Sequence, residues 1–101
     1  MSATVVTRGD VARIVLAGDL DFSKQGDIRT AIDEALASAR AREIQVDLSN
    51  VTFMDSSVIR ALLTLQAKAN ADGKPVRLVN CTDPIREIFV IGGFDKLFTL
   101  Q

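Results

Sequence analysis

Histidine is absent from this 101-residue chain, and cysteine occurs once, as Cys81. The first absence removes the side chain that most often serves as a general base near neutral pH and most often ligates a metal. The second excludes a disulfide framework and a cysteine-based zinc set, and it makes the cytoplasm the expected location. With no histidine to activate it and no cation beside it in sequence, Cys81 reads as a small buried apolar residue rather than a nucleophile. No apolar run reaches the length of a bilayer span, and Met1-Ser2-Ala3-Thr4 lacks the charged-then-apolar order of a secretion signal, so no direct membrane insertion is expected. Lysine and arginine total 12 against 13 acidic residues and are scattered, which leaves no basic stripe for nucleic acid. A Gly-x-Ser-x-Gly elbow and a glycine-rich phosphate loop are also missing. The chain is therefore not expected to be an enzyme, and no cofactor and no metal site are expected.

What is present is an apolar fraction of 48% without low-complexity tracts, repeats or linkers. A chain of this size buries roughly two-thirds of its unfolded surface, so residues 1–101 are expected to form one domain with its own core. Thr4 to Arg8 and Val11 to Ala17 are Val/Ile-rich runs separated by the turn pair Gly9-Asp10, which predicts an antiparallel hairpin. Gly18-Asp19-Leu20-Asp21-Phe22-Ser23 breaks the second strand. Asp21 or Ser23 then caps a helix that runs to about Arg42, with Ile28, Ala31, Ile32, Ala35, Leu36 and Ala39 as its apolar stripe. Glu43 to Leu48 is a strand. Val58, Ile59, Leu62, Leu63, Leu65 and Ala69 mark a second helix, ended by Asp72-Gly73-Lys74-Pro75. Val76 to Asn80 is a strand, Thr82-Asp83-Pro84 opens a third helix, Gly92-Gly93 stops it, and Leu97 to Leu100 closes the chain as a short strand. The order β-β-α-β-α-β-α-β predicts an α/β fold, a mixed, mostly parallel sheet with an N-terminal antiparallel hairpin and helices packed on it.

One stretch, Val46 to Ile59, carries the chemistry. A strand passes through a short loop and presents Asp55-Ser56-Ser57 where a helix begins. Unpaired backbone N–H groups and the positive end of the helix dipole suit that place to a phosphate. Capping alone would also explain these residues. Helical projection does not decide between the two serines, since it puts Ser57 further from the apolar stripe than Ser56. Asp19, Asp21, Asp47 and Asp55 suggest a hard-cation site, but no strand ends in a carboxylate pair, and turn and cap roles are favoured. Arg60 and Lys68 read as a solvated helix face, though Arg60 lies near enough to Ser56 to meet a phosphate or a partner acid. Phe94 and Phe98 flank the last loop and are expected to close the core, and Phe94, after two glycines, is also a candidate for an exposed partner contact.

Gly18-Asp19-Leu20-Asp21, the run Val46-Asp47-Leu48-Ser49-Asn50-Val51-Thr52-Phe53-Met54-Asp55-Ser56-Ser57, Asp72-Gly73, and Ile91-Gly92-Gly93-Phe94-Asp95-Lys96-Leu97-Phe98 together resemble a STAS domain, specifically a stand-alone bacterial anti-sigma factor antagonist. The resemblance spans essentially the whole chain. It implies binding to an anti-sigma factor that is itself a serine kinase, release when that kinase phosphorylates Ser56 (with Ser57 the second candidate), and reversal by a metal-dependent serine phosphatase. It places Asp21, Asp55 and Ser57 on the partner surface. Arg60 and Phe94 join that surface from their positions in the sequence. A monomer or weak dimer is the expected state. In this family glycine most often follows the second serine, whereas here it is Val58, bulkier and stiffer at χ1. The alternative within the same fold is a scaffold subunit of a stressosome or the cytoplasmic STAS subunit of a lipid transporter.

Overall fold

The computed structural model describes residues 2–101. The hairpin forms as expected: β1 (Ala3–Arg8) pairs antiparallel with β2 (Val11–Leu20) across Gly9-Asp10. Along β2 the alternation of the sequence becomes an alternation of burial, with Ala12, Ile14 and Leu16 fully buried and Val11, Arg13 and Val15 half-exposed. Then come α1 (Gln25–Leu36), β3 (Glu43–Met54), α2 (Ser56–Ala71), β4 (Val76–Val79), α3 (Asp83–Ile91) and β5 (Thr99–Leu100). The five strands lie in the order β1-β2-β3-β4-β5, with every pair after the first parallel. Three successive crossovers thus step the same way across the sheet. Right-handed connections then put all three helices on one face. The other face carries a polar lattice. Arg13 donates to Gln45 at 2.7 Å and pairs with Asp47, Gln45 donates to Glu43 at 2.7 Å, and Arg77 pairs with Glu43.

Several boundaries differ from expectation. The break after β2 comes only past Leu20, so Gly18-Asp19 does not end the strand. It sits inside the strand at two register shifts against β3, and Gly18 takes a φ of +86°. The stretch after Leu48 is strand rather than loop, because β3 continues beside β2 to Met54 and buries Val51 and Met54. The first helix ends at Leu36, not Arg42, and begins only after a 3-10 turn over Phe22–Lys24. Ala39 is exposed and Arg40 and Arg42 lie beyond the helix end. Lys74 Nζ takes the Ser38 carbonyl at 3.0 Å, and the Arg42 amide donates to Asp10 O at 2.6 Å. Those tertiary bonds hold the segment that helix propensity alone would have continued. β4 stops at Val79, and Asn80 adopts a left-handed φ of 58°, which asparagine tolerates; its Nδ2 donates to Asp47 Oδ1 at 3.2 Å. The chain closes through a 3-10 turn over Asp95–Leu97 before the two-residue β5.

The core lies between the sheet and the helix layer. Ile14, Leu16, Ile44, Val46, Leu48 and Leu78 meet Ile28 and Ile32 of α1, Val58, Leu62 and Leu65 of α2, and Ile85 and Phe89 of α3. Phe89 and Phe98 close one end with ring centroids 5.5 Å apart, edge to face.

Candidate functional site

Leu20 and Met54 are paired at the carboxyl ends of β2 and β3. The next residue of each strand is an aspartate, so Asp21 and Asp55 leave the sheet from neighbouring strands, about 4.8 Å apart by sheet spacing. The Asp55 amide donates back to Leu20 O at 3.1 Å and ties the two chain exits together. Asp55 is the N-cap of α2 in extended conformation, and its Oδ1 accepts from Val58 N at 3.1 Å and Ser57 Oγ at 2.6 Å. Asp21 plays the same part for the 3-10 turn: its Oδ1 accepts from Ser23 N at 2.9 Å and from the Ser23 hydroxyl. Those Ser23 bonds, with Lys24 nearby, hold the Asp21 carboxyl below its ordinary value. The Thr52 hydroxyl donates to Asp19, which pairs with Phe53 in the ladder.

The two serines are treated differently. Ser57 is half-buried and its hydroxyl is committed to Asp55. Ser56, the first residue of α2, is exposed, and its hydroxyl makes no hydrogen bond among the described residues. Val58 is fully buried, so its bulk enters the core rather than the surface beside Ser56. Arg60 is exposed one turn further along α2 and belongs to neither of the two ion pairs among the described residues.

Phe94 is not brought to this end. α3 starts beyond the carboxyl end of β4 and runs back toward the start of β5, and Phe94 follows it. Gln66, ten residues along α2 from Ser56 and thus roughly 15 Å down the helix, donates to Leu97 O at 2.6 Å, only three residues past Phe94. Phe94 is half-buried against the core, its ring where a Cβ on Gly92 would fall, 2.8 Å away. Two other phenylalanines stand at the Ser56 end: Phe22, 73% exposed, and Phe53, 45% exposed. Sequence reasoning passed over both. The available signal was that neither belongs to an apolar period: Phe22 precedes the stripe of α1, and Phe53 directly precedes the buried Met54.

Asp47 is separate from this cluster. It is nearly buried in β3. Burial pushes its carboxyl up, but hydrogen bonds from Ser49 and Asn80 and the charge of Arg13 outweigh that and hold it below its ordinary value. No group of three metal-ligating side chains occurs among the described residues. Cys81 is half-buried, and burial raises its thiol pKa, consistent with an inert residue.

A family model described as "Mlab, STAS domain" matches residues 3–100. A STAS-domain containing protein of Pseudomonas aeruginosa is 33% identical over 93 residues, covering 92% of this chain and 90% of that protein. An anti-sigma F factor antagonist of Paenibacillus polymyxa is 26% identical over 85 residues, covering 84% and 73%. The solved structure of the anti-sigma factor antagonist SpoIIAA in its unphosphorylated form superposes with a TM-score of 0.79 at 22% identity, covering 98% of this chain and 87% of that one.

Proposed function

Because the chain belongs to the STAS domain family, we propose that it acts as an anti-sigma factor antagonist, a cytoplasmic binding module controlled by phosphate. In its unmodified state it binds an anti-sigma factor that is a serine kinase and so frees a sigma factor for transcription. The kinase transfers the γ-phosphoryl of ATP to Ser56 Oγ, releasing ADP, and the complex dissociates. A metal-dependent serine phosphatase restores the hydroxyl. The observation that carries this reading is the division of labour at the start of α2: Ser57 completes the cap with Asp55, while the Ser56 hydroxyl is exposed and uncommitted.

The electrostatics support a switch that spares the fold. Phosphoserine adds a charge of about −1.5 to −2. At position 56 the free N–H groups of the first turn and the helix dipole face that charge, so the domain tolerates it. A partner closing over Ser56 would have to desolvate it beside Asp55, at a cost on the order of several kcal/mol unless fresh cations pair with it. The test is to incubate the protein with ATP and each anti-sigma kinase of its source organism and to map phosphate by mass spectrometry. Transfer to Ser56 is expected, and transfer to neither serine by any of them would overturn the reading. A stressosome scaffold or a lipid-transporter subunit would use the same end of the fold without this transfer. Val58, in the place where the family most often has glycine, is what keeps that second reading in view.

A further inference from the structure

Large apolar side chains stand exposed in three places among the described residues. Val90, Ile91 and Leu97 lie at the end of α3 and in the turn that follows, Val6 lies on the edge strand, and Phe22 and Phe53 lie at the Ser56 end. Phenylalanine elsewhere is covered: Phe89 and Phe98 are core and Phe94 is half-buried. The two rings the fold leaves to water are those beside the aspartates, Phe22 directly after Asp21 and Phe53 opposite Asp19 in the ladder. Exposed aromatics on a polar-rimmed surface are the usual anchors of a protein interface.

Three carboxylates stand beside the rings, with Arg29 next to Phe22 and Arg60 one turn from Ser56 as the nearby exposed arginines. Asp19, Asp21 and Asp55 each accept hydrogen bonds through Oδ1 from donors nearby, and none of the three takes part in an ion pair among the described residues. Asp19 and Asp21 are exposed and Asp55 is half-buried, which leaves these carboxylates to meet cations from outside. Lys24, the nearest cation in sequence, reaches to the Asp19 carbonyl instead.

We infer that Phe22 and Phe53 are the apolar anchors of the partner face, and that the partner is a protein presenting an apolar pocket rimmed by lysine or arginine that meets Asp19, Asp21 and Asp55. This rests on reading the Ser56 end as the partner face. A second copy of the chain does not fit, since a two-fold contact would set the same three carboxylates against each other. An anionic membrane surface is repelled for the same reason. The rim cations are engaged by the aspartates, so a phosphate on Ser56 meets none to spare and its bulk lifts both rings from the pocket.

The test begins with p-benzoylphenylalanine at position 22, 53 or 91, photo-crosslinked in cells of the source organism. The captured protein is purified, and its affinity is measured by calorimetry at low and high salt. The titrated proteins are the unaltered chain, Phe22→Ala, Phe53→Ala, Ile91→Ser and Ser56→Asp, each with its melting curve. Crosslinks from 22 and 53 but not 91 are expected. With melting unchanged, each Phe variant should bind about tenfold or more weakly, and Ile91→Ser as the unaltered chain does. Affinity should fall with salt. Binding by both Phe variants within about twofold of the unaltered chain, or capture of a second copy, overturns the inference. If Ser56→Asp abolishes binding while the Phe variants bind normally, the anchors are wrong and the phosphate switch stands. If the Phe variants fail while Ser56→Asp binds normally, the anchors stand without the switch.

Discussion

Ser56 and Ser57 are adjacent, yet the fold commits one hydroxyl and leaves the other to water. Ser57→Ala should cost about 0.5–1.5 kcal/mol through the lost bond to Asp55, and Asp55→Ala about 1–2 kcal/mol through the whole cap, both read from denaturant titrations. Ser56→Asp should leave the melting curve nearly unchanged, because its charge faces the start of a helix. Asp47 sets a pH dependence. Its folded carboxyl lies below the ordinary 3.8, so its stabilisation is complete above that value and disappears as pH falls through the folded one. Asp47→Asn should therefore destabilise by about 1 kcal/mol at neutral pH, and the gap to the unaltered protein should narrow in pH-dependent unfolding as pH falls below 3.8 and through the folded value. At this scale the sequence was read unevenly. The cap of α2 was legible because Asp55, Ser57 and the apolar stripe that follows form a local signature, whereas α1 and α3 have Lys24 and Thr82 as N-cap residues without the expected side-chain cap bond, Asp21 capping the 3-10 turn instead. Phe22 and Phe53 were not legible, because exposure is settled by which neighbours the tertiary fold supplies.

Elements show the same division. The hairpin, the helices and their order follow from periods of two and of three to four, together with Gly, Asp and Pro punctuation, all written within a few residues. The ends of α1 and β3 follow from distant partners. Ser38 and Arg42 are held by Lys74 and Asp10, and Ser49 to Met54 stay in the sheet only because β2 runs alongside. The shifts of register around Gly18 leave no mark on hydrophobic pattern. Gly18→Ala tests that irregularity. Nothing lies within 4 Å of the added methyl, but the residue holds φ +86°, so backbone strain alone should lower stability by about 1–2 kcal/mol. Chemical denaturation should show a lower midpoint with an unchanged slope.

As a whole molecule, the domain has helices on one face of its sheet, a polar lattice on the other, and two unlike ends. One end is closed by Phe89 against Phe98. Phe89→Ala should cost about 3–5 kcal/mol, a large share of the roughly 5–15 kcal/mol that holds a domain of this kind, and should show as a much lower melting temperature. The other end gathers Asp21, Asp55 and Ser56 where β2 and β3 finish. On the proposed function, this separation would let a phosphate at Ser56 alter binding without altering the fold. The most direct measurement compares the affinity of the proposed anti-sigma kinase for the unmodified protein and for protein carrying phosphoserine only at position 56, with circular dichroism and melting recorded for both. The account predicts superimposable folding and a loss of affinity of about a hundredfold or more. Equal affinity of the two forms would contradict it.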